Sequence, residues 1–404
     1  MDKEILQNPL KRDETYQNLF ICLSGMLLFA WFVGLILGDK NQFSLLYNKT
    51  FMVDFGVTWD SVKTRDPYNW VTGSMDSAGY RCYPPLAFFV FYLITLVPGA
   101  GNSYVFGAVL FIFTLLFAMV LVYINVRANI QKKLSITIIF FFSVTTLGAL
   151  LTGNIINLSA VLALIFLFGF DSENKAVREI SYIALALSAG MKLYPALFGI
   201  LILKRKRFKD AARTVIYGLI TFFIPFLFFE GGFGNIPLFL RNLKIFNEIY
   251  RYVDHSVFNF KHFANGISDV ALRDTVYVVF IAMDRLLLVI SMILVFFTKE
   301  KWREILLVSV SIIWSTIHSG LYMGLFFFAG MVFFLNDAKK NVPNTLCCLC
   351  MALILNPLRI FMSNGKDLSD ALSNIGCSFL ALTIIVEIVF ELANKKKLII
   401  GSQY

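Results

Sequence analysis

Charge is what this sequence has least of. Asp, Glu, Lys and Arg make up 15% of its 404 residues, against roughly 25% in a soluble domain. It has three histidines, and no two of them stand at an H-x-x-x-H spacing, so a zinc site has no support. No Gly-x-x-x-x-Gly-Lys loop is present, which removes the usual cradle for a soluble nucleotide, and no Asp-x-Asp pair offers metal ligands. The expectation is therefore no metal and no cofactor. Linkers, low-complexity tracts and soluble-domain composition are missing too, so residues 1–404 are read as a single integral domain. The six cysteines suggest no disulfide framework. Cys347, Cys348 and Cys350 fall in one apolar run and read as small packing residues, with metal binding as the lesser alternative.

Apolar length is what the sequence has in abundance. Apolar residues are 58% of the chain and aromatic residues 16%, with 43 phenylalanines. Runs at 19–38, 104–126 and 214–230 approach or exceed the roughly 20 residues that cross a bilayer as a helix. The runs are continuous rather than alternating, which excludes a transmembrane barrel. The fold class is therefore all-α, a polytopic transmembrane helical bundle of about 10–13 membrane helices, some of them re-entrant.

The net charge of +10 does not indicate nucleic acid. The basic residues gather in short loops, at 204–209, 299–303, 339–340 and 395–397, which is the positive-inside pattern. With Lys3, Lys11 and Arg12 before the first span, both termini are expected in the cytoplasm. The first span lacks an A-x-A site and reads as a retained anchor. Two polar stretches, 39–84 and 231–273, are long, and both are expected on the non-cytoplasmic face. Between them the topology has two readings. Five full spans over 86–203 would place Arg127, Lys132 and Lys133 outside, against the charge rule. Alternatively, 86–98 and the break at "GMKLYP" are re-entrant half-helices and "RANIQKK" is inside; this second reading is preferred.

Polar residues are few enough to weigh singly. Asp54, Asp60 and Asp66 lie in the first long stretch, "FMVDFGVTWDSVKTRDPYNW". Soon after comes "YRCYPP", where two prolines stiffen the chain as it re-enters the membrane and place Arg81 and Tyr83 at headgroup depth. "TGNIIN" sets Asn154 and Asn157 at a helix start, whose amides and dipole favour an anion. In "GMKLYP", Lys192 stands between two apolar runs beside Tyr194, and an ionisable group within a membrane segment marks a site unless it snorkels. His255 and His262 lie in the second long stretch, and His318 lies at the outer end of a span. The Asp284–Arg285 pair inside the run 275–297 is read as the point where a helix leaves the interface, with a buried ion pair as the alternative.

Taken in order, the outer "DF" after the first span, then "DPY", "YPP", "GN..N" and "K.YP", resemble the bacterial polyprenyl-phosphate-mannose-dependent α-mannosyltransferase family, which includes the phosphatidylinositol-mannoside elongating enzymes and belongs to the GT-C superfamily. The resemblance covers most of 19–335; residues 336–404 add only C-terminal spans. It implies a plasma-membrane enzyme whose partners are a polyprenyl-phosphate sugar donor, an acceptor hydroxyl on a glycolipid, glycan or other molecule, and membrane lipids. It also implies inversion at the anomeric carbon, with Asp54 as the catalytic base. Lys192, Arg81 and His318 are then the candidates for the donor phosphate, and Tyr83, Asn154, Asn157, Tyr194 and His255 for the substrate pocket. Two other readings stay open, a secondary transporter and a lipid-linked oligosaccharide ligase or polymerase.

Overall fold

A computed structural model describes residues 14–40, 52–69, 81–249, 257–316, 320–360 and 368–401. His255 and His318 lie outside the described residues. The secondary structure is helical, with no strand among the described residues. The chain opens with α1 (Thr15–Ile36), α2 (Val53–Ser61), α3 (Pro85–Thr95) and α4 (Ala100–Asn125). Next come α5 (Ile130–Phe141), α6 (Val144–Thr152), α7 (Ile156–Gly169) and α8 (Lys175–Met191). A 3₁₀ turn over Tyr194–Gly199 leads into α9 (Ile200–Lys204), followed by α10 (Phe208–Phe223), α11 (Asn235–Ile249), α12 (Val270–Leu294) and α13 (Lys301–Ser315). The 3₁₀ stretch Leu321–Phe327 feeds α14 (Phe328–Asp337), and α15 (Val342–Ile354) and α16 (Leu368–Gly401) complete the bundle.

Five of these helices are long and apolar enough to cross a membrane, and α5 with α6 make a sixth if their 48° bend is one broken span. The remaining apolar helices, including α3, α7 and α15, are shorter. The expected ten to thirteen membrane helices thus resolve into fewer full-length spans and a set of half-length ones. The protein is a multi-pass membrane protein.

Each break has a local cause. Between α5 and α6, Ser143 caps the new helix by accepting from the Thr146 amide at 3.3 Å. The freed carbonyl of Phe140 is taken by the hydroxyls of Ser143 and Thr146, each at 2.7 Å. Hydroxyls in this role let a broken helix survive at bilayer depth. After α8, Lys192 is extended (φ −144°, ψ 123°), and Pro195, which lacks an amide hydrogen, prevents an uninterrupted helix. Asp284 and Arg285 mark neither a helix exit nor an ion pair with each other. They sit within the continuous α12, where Asp284 accepts from the Phe260 amide at 3.2 Å and Arg285 donates to the carbonyls of Trp314 (2.9 Å) and Ser315 (2.7 Å).

The two ends of the bundle differ. At one, Gln17 donates to the carbonyls of Arg127 and Leu335, both at 3.1 Å, Lys132 meets Glu14, and Arg127 meets Asp337 at 3.2 Å. Glu304, nearly fully buried, holds Lys204 at 2.5 Å and Arg205 at 2.7 Å, while Arg303 reaches Glu387 and Glu391. The rings of Trp302 and Phe334 (4.9 Å) and of Tyr16 and Phe334 (5.1 Å) tie these clusters together. Arg127 and Lys132 therefore share this basic end with the 204–207 loop, which removes the five-full-span reading.

At the opposite end the two long polar stretches meet. Among the described residues α2 lies in the first, and α11 with a 3₁₀ turn at Phe260–Gly266 lies in the second. Asn242 of α11 donates to the carbonyls of Tyr68 (2.9 Å) and Arg81 (3.1 Å), and the Glu230 amide donates to the Arg65 carbonyl at 2.9 Å.

Candidate active site

The site forms where half-length helices end. α7 has 14 residues and α4 has 26, so by the helical rise α7 is about 21 Å long and α4 about 39 Å. α2 lies against the ends of the shorter helices, packing on α3, α4 and α6. Met52, its N-cap, takes the left-handed conformation (φ 57°) and donates its amide to the Leu151 carbonyl at 2.7 Å. Gly153, the C-cap of α6, has φ 60°. A Cβ there would meet Met52 Sδ and come within 2.9 Å of Phe55 Cβ. A left-handed turn that must also admit a neighbouring backbone calls for glycine, which explains the Gly-Asn dipeptide. Phe55 locks α2 down through ring contacts with Phe91, Tyr104 and Phe111 at 5.1–5.5 Å.

This docking sets Asp54 against Asn154. The Asn154 amide nitrogen donates to Asp54 Oδ2 at 2.7 Å and to the Tyr83 hydroxyl at 3.0 Å. Its own Oδ1 accepts from the Ile156 amide at 3.0 Å. One side chain thus starts α7, aims its two hydrogens and joins two candidates from separate motifs. The polar group met by the start of α7 is the chain's own carboxylate.

Lys192 joins the cluster through Tyr83, its ammonium 4.1 Å from the centre of the Tyr83 ring. Asp54 and Cys82 are its electrostatic neighbours. Burial holds the Tyr83 phenol well above its ordinary value, with Asp54 adding to the effect, so Tyr83 is a neutral hydroxyl. Burial also pushes the Cys82 thiol up to about 11, partly offset by Lys192. Tyr194, just past the break, and Tyr322 both stand near enough to Tyr83 to act on it electrostatically.

Asn157, expected in the pocket, and Arg81, expected at the donor phosphate, make contacts that serve the frame. Asn157 is fully buried and donates to the Ala149 carbonyl at 2.9 Å, bracing α6 against α7. Arg81 gives Nη1 to the carbonyls of Asp66 (3.3 Å) and Asn69, so it organises the loop that delivers Tyr83. The other aspartates stand apart from the cluster. Asp60, six residues along α2 from Asp54, is 73% exposed and bridged to Lys63 at 2.7 Å. Asp66 is engaged through its backbone by Arg81. Tyr322 was missed in the sequence because nothing in "TIHSGLY" singles it out from the aromatic background. The signal available was Gly320, which leaves room for the ring: a Cβ there would lie 2.7 Å from it.

The cluster brings together a carboxylate that accepts from the Asn154 amide, a neutral phenol and a cation against the phenol ring. That is the equipment for taking a proton from a hydroxyl while stabilising an anion that departs. Residues 82–317 match the model of the family described as glycosyltransferase family 87. The matched stretch contains Tyr83, Asn154, Asn157, Lys192 and Tyr194, and it leaves Asp54 and Tyr322 outside. No curated protein and no solved structure matches the chain.

Proposed function

The chain belongs to glycosyltransferase family 87, and we propose that it moves a sugar, with mannose the first choice, from a polyprenyl-phosphate donor to an acceptor hydroxyl with inversion at the anomeric carbon. The observation that carries this reading is the Asp54–Asn154–Tyr83–Lys192 constellation at the end of the bundle where the two long polar stretches meet. Asp54 is the base. As the acceptor oxygen bonds to the anomeric carbon, its proton passes to the carboxylate. The bond from that carbon to the phosphate oxygen breaks, and the electron pair leaves with the lipid phosphate. A positioned base contributes roughly 10²–10⁴ in rate.

Charge that grows on the phosphate is best met by a fixed cation in a site poor in water. Lys192 is the cation proposed for this, and the attraction between its ammonium and the Tyr83 ring, 4.1 Å apart, supports a fixed position beside the phenol. Arg81 and His318 extend the proposed phosphate contacts. Tyr83, Tyr194, Asn154 and His255 are proposed for the pocket, with Asn157 bracing the helices behind them. The positive-inside pattern supports a cytoplasmic position for the basic end and both termini. The site then faces the non-cytoplasmic side of the plasma membrane, where a lipid-borne donor needs no soluble nucleotide. The acceptor is a hydroxyl on a glycolipid or glycan.

The test is transfer from polyprenyl-phosphate mannose by purified protein reconstituted in lipid, with polyprenyl-phosphate glucose run alongside. Transfer from either donor upholds the reaction class, and the ratio of the two decides the sugar. No transfer from either, by protein that melts cooperatively, would remove the lipid-phosphate donor.

A further inference from the structure

Tyr83 is held at both of its ends, and only one of the two holds belongs to the catalytic cluster. Its hydroxyl accepts from Asn154 at 3.0 Å. Its backbone carbonyl accepts from the Tyr68 hydroxyl, also at 3.0 Å. The second bond answers a local shortage of donors. Pro84 and Pro85 have no amide hydrogen, and the Ala87 amide donates to the Pro84 carbonyl at 3.0 Å. The start of α3 therefore leaves the Tyr83 carbonyl to a donor from another part of the chain. Tyr68 is fully buried, its ring 5.1 Å from that of Phe88, which also meets the Tyr83 ring at 6.0 Å.

What fixes Tyr68 comes from the second long stretch. On α11, Phe239 and Asn242 are three residues apart and share one face. The Phe239 ring lies 6.0 Å from the Tyr68 ring. Asn242 Nδ2 donates to the carbonyls of Tyr68 and Arg81, at 2.9 and 3.1 Å. Arg81 stands two residues before Tyr83, so one buried side chain holds both the donor to Tyr83 and the chain that leads into it. Asn242 is fully buried, and its Oδ1 has no hydrogen-bond partner among the described residues. A buried acceptor without a partner lowers stability, so this asparagine is not the side chain that stability alone would select. Such departures from local consistency gather at functional sites.

We propose that Asn242 is a positioning residue for sugar transfer: from α11 it sets Tyr68 and Arg81, and through them it holds Tyr83 in register with Asn154 and Lys192. This rests on the reaction proposed above. Both hydrogen bonds of Asn242 go to backbone carbonyls of the first long stretch, so it acts through Tyr83 and not on a substrate. Tyr83 and Asp54 share the amide of Asn154, and a small displacement of the phenol disturbs the hydrogen bond that orients the base. Reacting groups tolerate errors of only about 0.5 Å before rate is lost. The second long stretch thus shapes the site without supplying a group to it.

Asn242→Ala should lower kcat about tenfold and leave donor KM within about twofold, because Lys192 keeps its place at the end of α8. Tyr68→Phe removes one hydroxyl and keeps the ring, so it should lower kcat in the same way, and it carries the test if the alanine variant fails to fold. Tyr83→Phe should itself lose about tenfold, and adding Asn242→Ala should then cost little. The double variant is expected near a tenfold loss rather than about a hundredfold, because residues that act through one group are not additive. The full hundredfold, or an unchanged kcat in both Asn242→Ala and Tyr68→Phe, would overturn the proposal. A second measurement needs no transfer. Cys82 stands between Arg81 and Tyr83 and is partly exposed, whereas Cys347, Cys348, Cys350 and Cys377 are buried. Alkylation by a water-soluble maleimide is followed by peptide mass spectrometry on the full chain in lipid nanodiscs. In Asn242→Ala the labelling of Cys82 should quicken several-fold while the four buried cysteines stay unlabelled. Unchanged labelling of Cys82, or faster labelling of the buried four as well, would make Asn242 ordinary packing and overturn the proposal. Wild-type protein that transfers no sugar, with Cys82 labelling still raised in the variant, would refute the reaction proposed above and leave the hold of Asn242 on Tyr83 standing.

Discussion

Replacing Asp54 by asparagine separates chemistry from architecture at a single atom. The amide of Asn is nearly isosteric with the carboxylate, and its oxygen can still accept from Asn154 at the place of Oδ2, a bond now 2.7 Å long. What disappears is charge. A charge-assisted hydrogen bond is roughly twice as strong as a neutral one, so about 0.5–1.5 kcal/mol of stability is at stake there. Asp54 also sits in the first turn of α2, where a negative charge interacts with the helix dipole for about 0.3–1 kcal/mol. Catalysis stands to lose more. A general base contributes about 10²–10⁴ in rate, which is about 2.7–5.4 kcal/mol of barrier. Asp54→Asn should therefore unfold within a few degrees of the parent in detergent and still bind donor, yet transfer sugar at least about a hundredfold more slowly. The assay is the initial rate from polyprenyl-phosphate mannose, normalised to folded protein. Asp60→Asn and Asp66→Asn serve as controls, because Asp60 is exposed and bridged to Lys63 and Asp66 faces Arg81 rather than the Asn154 amide. A near-normal rate for Asp54→Asn, together with an inactive Asp60→Asn or Asp66→Asn, would refute the assignment. If all three stay active, the carboxylate mechanism fails altogether.

Four further outcomes follow from the geometry. Lys192→Ala should cut donor turnover by about 10²–10³, the usual cost of removing one stabiliser of developing negative charge, while the protein still inserts and purifies; a wild-type rate would sink the phosphate role. Asn154→Ala releases both Asp54 and Tyr83 and should lower kcat by about tenfold, or about 1.4 kcal/mol, with donor KM little changed; a change in KM alone would make Asn154 a binding residue instead. Gly153→Ala forces a left-handed alanine into Met52 and Phe55 and should cost about 1–3 kcal/mol of stability, read as a lowered melting temperature; an unchanged melt would contradict the close approach of α2. Single cysteines at Ser61 and Asn247 should react with an impermeant thiol reagent in sealed cells, and reaction only after permeabilisation would invert the proposed orientation.

The sequence alone determined the class of the molecule. Apolar runs of spanning length and clustered basic loops follow from the cost of placing charge and unpaired backbone in lipid, and that cost acts on composition directly. The same logic marked Lys192, because an ionisable group between apolar runs is conspicuous wherever the chain takes it. It also paired the two long polar stretches at one end, although it read as loops what α2 and α11 form as helices.

What composition could not supply was which polar groups touch. Asp54, Asp60 and Asp66 are equivalent on paper, and only the docking of α2 on Gly153 turns one of them to Asn154 and leaves Asp60 to solvent. Asn154 and Asn157 look alike in "GNIIN", yet one aims at the site and the other braces two helices, because Asn154 lies in the turn between α6 and α7 and Asn157 in the first turn of α7. Asn154 reaches Asp54 across 100 positions of chain and Tyr83 across 71. Contacts of that range are fixed by packing between elements far apart in sequence, and no local spacing encodes them.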